Sequence, residues 1–480
     1  MINTLLFNIK TSAKTAPLCA LLCGLSLVSC SFQEYVAKPI DKAAITQKIT
    51  SRHADDNQFH QYLINNGYSA EQLPIKHWTL NDLIYCALFF NPNLDVARAQ
   101  WRSAEAARLT ATEMRLPTVS GHYAKSNNAN EDISPHAYSL SIDLPIETAN
   151  KRNIRIESAQ HLAESAKLRI AQAAWQLRSE VTKTLYDYQL NQQLIELLSK
   201  EHAQKQDIVA IHQKRISLGE SSNIELSKAK LQLQATTAEL ESAQRNHLTL
   251  LSTLANNLGL SLAEVERMQL TEPVKADTLI TDVPADMQSV ALLNRLDIRL
   301  ALERYAVAEA KLKLEIAKQY PDLTISPGYT YEFGNKIWSL GLSSLMTKLT
   351  KNKLAIAEAT QLRETEAAQF ESLQTNVIAE VNIAKAKLAQ ARQLLENQKN
   401  LLQQQQASTQ RMDRRLRSGE IDRLEMTYAK LEEVSAEKYF TLANFQLATT
   451  VNDLENVLQA PISDTSIKNE KIQNSYLNDK

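Results

Sequence analysis

The distribution of glycine and proline constrains this chain more than any other feature of its sequence. Neither residue occurs in 146–218 or in 342–418, and the 480 residues contain only 9 Gly and 12 Pro. At about 1.5 Å per residue, each stretch could extend roughly 110 Å as an α-helix. Each stretch leads to a glycine, Gly219 or Gly419. We therefore predict two long helical hairpins whose return helices run to about Leu258 and Leu458.

Apolar and small residues recur in these stretches with the 4-3 alternation that is typical of coiled-coil packing. In the first stretch the seam residues are Leu162, Ala166, Ile170, Ala173, Leu177 and Val181. In the second stretch they are Val377, Val381, Ala384, Leu388, Ala391, Leu395 and Leu402. Alanine in the seam allows neighbouring helices to approach closely.

The chain consists of two copies of one unit. Residues match at an offset of 204, as Pro117 with Pro321, and then at an offset of 200, as Gly219 with Gly419. Matched glycines and prolines indicate an internal duplication. Each copy is predicted to hold a shorter helix, a β-hairpin, the long helix and the return helix; the shorter helices are expected at about Thr79–Leu116 and Ala285–Tyr320. The predicted divisions are 1–29, signal peptide; 30–77, N-terminal anchor and extended segment; 78–260, first repeat; 261–284, connector; 285–461, second repeat; 462–480, polar tail.

The first thirty residues have the layout of a secretory signal. Basic residues precede an apolar run, 16–28, that is too short to span a bilayer. The run ends in Leu27-Val28-Ser29-Cys30, which resembles a bacterial lipobox, so we expect acylation of Cys30, palmitate included. The residue after Cys30 is Ser31. An Asp at this position would favour retention in the inner membrane, so the serine favours the outer membrane. The alternative is an ordinary signal peptide with a chance cysteine.

Composition argues against several other classes of protein. Lys and Arg number 53 against 54 Asp and Glu, which leaves no bulk basic surface for nucleic acid. The glycines are too scattered for a phosphate-binding loop. After processing only Cys86 would remain as a thiol, and its apolar helical surroundings predict a small buried side chain. We find no nucleophile–base pair and no HExxH motif, and so predict no enzyme, no metal site and no cofactor beyond the lipid on Cys30.

Between the shorter and the long helix of each repeat the hydrophobic period changes from 3.6 to 2. Strands are predicted at Thr118–Lys125, around Tyr138–Leu144, at Leu323–Phe333 and at Trp338–Ser343. One face is apolar and aromatic and the other is small and polar, as lipid-facing barrel strands require. The predicted lipid-facing residues are Tyr138, Leu140, Ile142, Tyr329, Tyr331, Trp338 and Leu340. The alternative is a pair of soluble hairpins packed on the helices.

Four strands per chain cannot close a barrel, and an open sheet edge in lipid would leave backbone groups unpaired. Several chains must therefore share one transmembrane barrel. Eight strands give a bore filled by side chains, and twelve can leave a lumen, so the number of subunits stays open at this point.

Over about residues 78 to 461 the chain resembles the outer-membrane efflux protein family, the TolC-like trimeric ducts. The markers are Trp78-Thr79-Leu80, Asn91-Pro92-Asn93-Leu94, Ala104-Glu105-Ala106, Gln319-Tyr320-Pro321-Asp322-Leu323, Gly219-Glu220 and Gly419-Glu420. The resemblance implies a mainly α fold with a small β part, in which a homotrimer shares a twelve-stranded β-barrel and a long α-barrel through the periplasm. It also implies a periplasmic adaptor (membrane fusion) protein and an inner-membrane pump, of RND type, as partners.

The segment Leu144-Pro145-Ile146-Glu147-Thr148, followed by Lys151-Arg152, is similar to the heavy-metal (CzcC-like) branch of this family. That branch usually has glycine just before the lysine, where this chain has Asn150. Leu345 stands at the second-copy equivalent of Pro145. These two departures concern the branch and leave the expected fold unchanged.

The turns at Gly219 and Gly419 would lie at the periplasmic tip. By resemblance the adaptor-contact residues are Ser217, Leu218, Gly219, Arg417, Ser418 and Gly419, and the tip gate is Asp422, Arg423 and Glu425. Tip charges repeat around the axis of an oligomer, where they can form weak bridges between subunits. The alternative is an ordinary solvated helix end, and the second acidic position of the family's constriction is Tyr428 here.

These features together predict a passive exit duct of a tripartite efflux or secretion system. It would be lipid-anchored in the bacterial outer membrane, extend into the periplasm, and contact outer-membrane lipid and no nucleic acid. The alternative is a non-channel periplasmic adaptor or coiled-coil tether. An adaptor should carry compact β-domains beside its hairpin, whereas β structure here is confined to two matched hairpins.

Overall fold

A computed structural model describes residues 33–127, 134–271, 286–332, 334–344, 349–460 and 462. The predicted signal peptide, Cys30, Phe333, Leu345, and most of the connector and of the polar tail lie outside the described residues. The chain divides into two units, Met1–Lys48 and Ile49–Lys480. In the first unit residues 33–41 have no regular secondary structure. Helix α1 (Lys42–Thr50) begins in this unit and has no buried residue.

The second unit is built mainly from helices and contains six strands within the described ranges. The helices are α2 (Asn57–Asn65), α3 (Leu80–Phe90), α4 (Pro92–Ala111), α5 (Lys151–Ser217), α6 (Asn223–Leu258), α7 (Leu262–Val265), α8 (Met287–Asn294), α9 (Leu296–Ala317), α10 (Leu349–Arg417) and α11 (Arg423–Leu458). The strands are β1 (His77–Trp78), β2 (Thr118–Lys125), β3 (His136–Ile146), β4 (Gln269–Leu270), β5 (Leu323–Glu332) and β6 (Asn335–Ser344).

The two predicted helical hairpins are present. The long helix α5 packs against its return helix α6, and α10 packs against α11, and both return helices end at the predicted leucines. The α11 helix also packs against α5, which joins the second copy to the first. The seam of α10 is buried from Val377 to Leu395. In α5 the seam is less complete, because Leu162 near the start of the helix remains 51% exposed.

The shorter helices are each broken in two, and the prediction of single helices was wrong on this point. In the first copy the break lies at Asn91, whose extended backbone and side chain cap α4 just before Pro92. In the second copy it lies at Arg295, which is also extended. No proline marks that second break. Instead the guanidinium of Arg295 binds Asp297 at 2.7 Å and Glu380 at 2.6 Å, contacts that the local sequence does not reveal.

One aromatic core forms where α2 and α3 pack against the hairpin of the first copy. Phe59 is fully buried and lies 5.4 Å and 5.3 Å, ring centre to ring centre, from Phe89 and Phe90. Gly259 lies against the end of α3 so closely that an added Cβ would meet the Phe90 carbonyl oxygen at 2.5 Å. Cys86 is completely buried in this core, as predicted, and burial raises the pKa of its thiol.

The four predicted strands form one antiparallel sheet in the order β2-β3-β5-β6. Its central pairing, β3 with β5, joins the two copies, with Tyr138 opposite Tyr331 and Leu140 opposite Tyr329. A second, two-stranded sheet pairs β1 with β4 in parallel. The duplication thus produces a continuous sheet in which β2 and β6 are the outer strands.

Candidate functional site

The four-stranded sheet has two chemically different faces. The strand register places all seven residues predicted to face lipid on the same face. Tyr138 lies opposite Tyr331, and Leu140 lies opposite Tyr329. Tyr329 in turn lies opposite Trp338 on the next strand. On this face Trp338 and Leu340 are 82% and 76% exposed in the chain, whereas Tyr329 and Tyr331 are half-buried. Whether this face contacts lipid stays a prediction.

Aromatic pairs stabilise the apolar face. The rings of Tyr138 and Tyr331 stack at 4.9 Å, and those of Tyr329 and Trp338 are also 4.9 Å apart. The opposite face carries small polar side chains, among them Ser120, Ser139, Ser141, Ser326, Ser339 and Ser343. Ser326 donates a hydrogen bond to Asp143 at 2.6 Å on this polar face. An apolar exposed face opposite a polar one suits a sheet between lipid and water.

The outer strands β2 and β6 each have one edge without a strand partner in the described part of the chain. Exposed edges of eight and ten residues are templates for pairing with another chain. The sheet is therefore an incomplete structure that further strands at both edges would complete.

An ionic cluster joins the sheet to the long helices. Lys151, the first residue of α5, is buried and donates to Asp322 at 2.6 Å and to the Tyr320 carbonyl oxygen. Arg115 binds the same carboxylate at 3.1 Å. Partial burial alone would raise the pKa of Asp322, but the hydrogen bonds from Lys151 and from the Thr148 backbone N–H outweigh it and lower that pKa. The cluster holds the start of α5 against the start of β5.

Backbone geometry explains why Asn150 can occupy the position where the heavy-metal branch usually has glycine. Asn150 has φ 60° and ψ 20°, and Ala149 before it also has a positive φ of 53°. Glycine is the residue best suited to this left-handed region, and asparagine is the side-chain-bearing residue that tolerates it best. The glycine usual in the heavy-metal branch is thus replaced by the nearest conformational substitute.

Both tip turns have the geometry of a glycine-terminated helix. Gly219 and Gly419 have φ of 79° and 77°. The N–H of Glu220 donates to the Arg215 carbonyl at 2.8 Å, and that of Glu420 donates to the Arg415 carbonyl at 2.9 Å. This is the Schellman pattern, which satisfies the last carbonyls of the long helices. Ser217 and Leu218 in one turn, and Arg417 and Ser418 in the other, therefore occupy equivalent positions.

The predicted gate residue Asp422 is a helix cap in this structure. Its carboxylate accepts the backbone N–H groups of Leu424 at 2.7 Å and Glu425 at 3.0 Å, and the Arg215 guanidinium at 2.6 Å. The backbone bond from Glu425, followed by the Arg215 contact, lowers the pKa of Asp422. Sequence reasoning missed the Arg215–Asp422 pair, which ties the first turn to the second inside one chain. Arg423 contacts Asp207 of the first copy at 3.5 Å.

A buried ion pair, also missed from sequence, connects the copies further along the helices. Arg178 of α5 donates to Glu455 of α11 at 2.9 Å, and the two side chains are only 9% and 5% exposed. By the offset of 200, their counterparts in the other copy are Ile378 and Ala255. The two positions of this ion pair are therefore occupied by apolar residues at the matching positions of the duplication.

Within the described ranges no group of three or more His, Cys, Asp or Glu side chains is arranged to hold a metal ion. Of the helices that the structure describes, none combines the length and hydrophobicity needed to cross a bilayer.

Comparison with known proteins agrees with the resemblance inferred from sequence. Residues 83–260 match the family described as outer membrane efflux protein. Nodulation protein T of Rhizobium leguminosarum bv. viciae is 26% identical over 282 residues, which are 55% of this chain and 57% of that relative. The cobalt-zinc-cadmium resistance protein CzcC of Cupriavidus metallidurans is 24% identical over 261 residues, or 52% of this chain and 58% of that relative. The chain thus spans less than two thirds of either relative.

Among solved structures, the outer-membrane channel OprN superposes with a TM-score of 0.65. It is 20% identical, and the match covers 89% of this chain and 99% of that one. This likeness confirms the predicted fold class of duplicated helical hairpins with a small sheet.

Proposed function

Since the first repeat of this chain matches the outer membrane efflux protein family, we propose that the protein is the outer-membrane exit duct of a tripartite efflux or secretion system. It conducts substrates passively from the periplasm to the exterior when an adaptor and an inner-membrane pump are docked. The observation that carries this proposal is the four-stranded sheet. It has one apolar face and, among the described residues, two edges without a strand partner. Its strands β3 and β6 precede the long helices α5 and α10 along the chain.

The same sheet supports a homotrimer. Three chains would bring β2 of one chain beside β6 of the next and give twelve strands, enough for a barrel with a lumen. The helices support this arrangement. Within the chain α11 packs against α5, but their duplicated counterparts α6 and α10 make no comparable contact. Exposed apolar side chains on these two helices, such as Leu231 and Ile383, would be covered by an equivalent contact between chains.

The turns at Gly219 and Gly419 are the proposed contacts with a periplasmic adaptor, and the pump is proposed to be of RND type. Arg423 and Glu425, both exposed at the start of α11, remain the proposed gate charges. Asp422 supports them as the cap that fixes the start of this helix. A lipid on Cys30 would add an anchor in the outer membrane.

Matched arginine substitutions on the two faces of β6 test the proposal. Leu340→Arg puts a charge on the apolar face and should cost about 2–4 kcal/mol near the bilayer midplane. Ser339→Arg, the neighbouring residue on the polar face, should assemble and change conductance instead. Membrane fractionation and gels of unheated and boiled samples report assembly, because an oligomer sharing the sheet migrates slowly only when unheated. Planar-bilayer recording then reports conductance.

A non-channel adaptor or tether predicts a different result. Such a protein would be released without detergent and would tolerate both substitutions equally. Either outcome would contradict the exit-duct proposal, as would an absence of conductance by the detergent-purified oligomer.

A further inference from the structure

A basic pocket lies where α9 bridges the two long helices. The α9 helix packs against both α5 and α10, and the space between the three has a volume of about 270 Å³. Its wall is apolar at Leu162, Val307 and Leu362. This volume is just below the range of about 300–1,000 Å³ that is usual for drug-sized ligands, so the pocket suits a small ligand with its waters.

Positive charge dominates the lining. Three cationic side chains, Arg169, Arg304 and Lys311, face one carboxylate, Glu366. Arg304 lies 3.7 Å from Glu366. In the part of the chain that the structure describes, neither Arg169 nor Lys311 forms an ion pair. The lining therefore has an excess of two positive charges.

A buried hydroxyl in the same lining has no hydrogen-bond partner. Ser165 is only 5% exposed, yet its Oγ has no partner among the described residues. Other helical hydroxyls here donate to the carbonyl one turn earlier, as Thr182 does to Arg178 and Thr365 does to Gln361. A buried polar atom without a partner is costly, and its presence beside uncompensated cations points to a missing acceptor.

The three cations of the pocket are not repeated at the matching positions of the other copy. Leu162 and Leu362 are counterparts at the offset of 200, and so are Ser165 and Thr365, so the pocket wall is itself duplicated. At the offsets of 200 and 204, however, the counterparts of Arg169, Arg304 and Lys311 are the uncharged residues Gln369, Gln100 and Ala107. The pocket therefore has three cations at positions where the other copy has none.

We propose that this pocket binds a small tetrahedral oxyanion, of the size and charge of sulfate or hydrogen phosphate. A dianion balances the excess of two positive charges, and its oxygens accept from guanidinium, ammonium and the Ser165 hydroxyl. The bound anion links α5 to α9 and so joins the first copy to the second.

Calorimetry on the full-length, detergent-solubilised protein tests this inference, with sodium sulfate, sodium phosphate and sodium acetate as separate probes. We expect saturable binding of sulfate and phosphate with a dissociation constant of about 1 mM or lower, and weaker binding of acetate. The triple variant Arg169→Gln, Arg304→Gln, Lys311→Ala installs the residues of the other copy. It should weaken sulfate binding at least tenfold, and Ser165→Ala should weaken it by about tenfold.

The matched control removes three exposed cations elsewhere on α10, by Lys385→Gln, Lys387→Ala and Arg392→Gln. It makes the same change in net charge and should leave sulfate binding unchanged. Absence of saturable binding by the unmodified protein would overturn the proposal. So would equal weakening by the two triple variants, or acetate binding as tight as that of sulfate. Because binding is measured without conductance, failure here would leave the exit-duct proposal untouched.

Discussion

The buried Arg178–Glu455 pair gives the sharpest prediction about stability. Replacing Arg178 by Met leaves the Glu455 carboxylate buried without its cation, and breaking such a pair costs about 3–5 kcal/mol. Glu455 also accepts a hydrogen bond from the backbone N–H of Ile462 at 2.9 Å, which Arg178→Met leaves in place, so we expect the lower end of this range. At 1.4 kcal/mol per factor of ten, about 3 kcal/mol corresponds to roughly a 100-fold change in the unfolding equilibrium.

The duplication supplies the compensating variant. Arg178→Ile with Glu455→Ala installs the residue types of the matching positions, Ile378 and Ala255, and removes both charges together. We expect this double variant to be less destabilised than Arg178→Met, by about 1–2 kcal/mol, because it leaves no unpaired charge buried, although the Ile462 N–H loses its acceptor.

Urea unfolding of the detergent-solubilised protein, followed by tryptophan fluorescence, measures these differences. Trp175 is a local reporter, since the Arg178 guanidinium lies 4.9 Å from its ring centre. The exposed pair Lys200–Glu437, at 3.8 Å, also bridges α5 and α11 and serves as the control. Lys200→Met should cost only about 0–1 kcal/mol. A similar small cost for Arg178→Met, or a double variant less stable than the single one, would refute the reasoning.

Three further predictions concern the turn at the aromatic core, the ionic cluster and the tip. Gly259→Ala should markedly lower resistance to urea, because its φ of 73° and the 2.5 Å approach to backbone both exclude a Cβ; unchanged unfolding would contradict the observed packing. The pKa of Asp322 is lowered in the folded state, so its contribution to stability is present above about pH 4 and is lost as pH falls through the folded pKa. Asp322→Asn, which weakens the contact with Lys151, should therefore destabilise the protein at pH 7. Below about pH 4 the unfolding midpoint of this variant should depend less on pH than that of the unmodified protein. The same pH dependence in both proteins would show that another group is responsible. Arg423→Ala with Glu425→Ala should raise single-channel conductance in planar bilayers, and unchanged conductance would identify these charges as ordinary surface.

Much of the fold could be predicted because local sequence controls it. The two longest stretches without Gly or Pro each form one long helix, and the positive φ at Gly219 and Gly419 explains why each of these helices ends where a glycine occurs. Alternation with a period of two predicts the apolar side of each strand, with Tyr138 on that of β3 and Trp338 on that of β6. The break at Asn91 is equally local, since Pro92 follows it.

Contacts between residues far apart along the chain could be decided only by the tertiary structure. Arg215 and Asp422, or Arg178 and Glu455, are separated by more than 200 residues, and nothing near either member identifies its partner. The break at Arg295 depends in the same way on Glu380 of another helix. Sequence periodicity determines which face of an element is apolar, because it repeats within a few residues. Pairing of particular side chains depends on how helices from the two copies are placed in space, and that arrangement is set by the packing of the whole core.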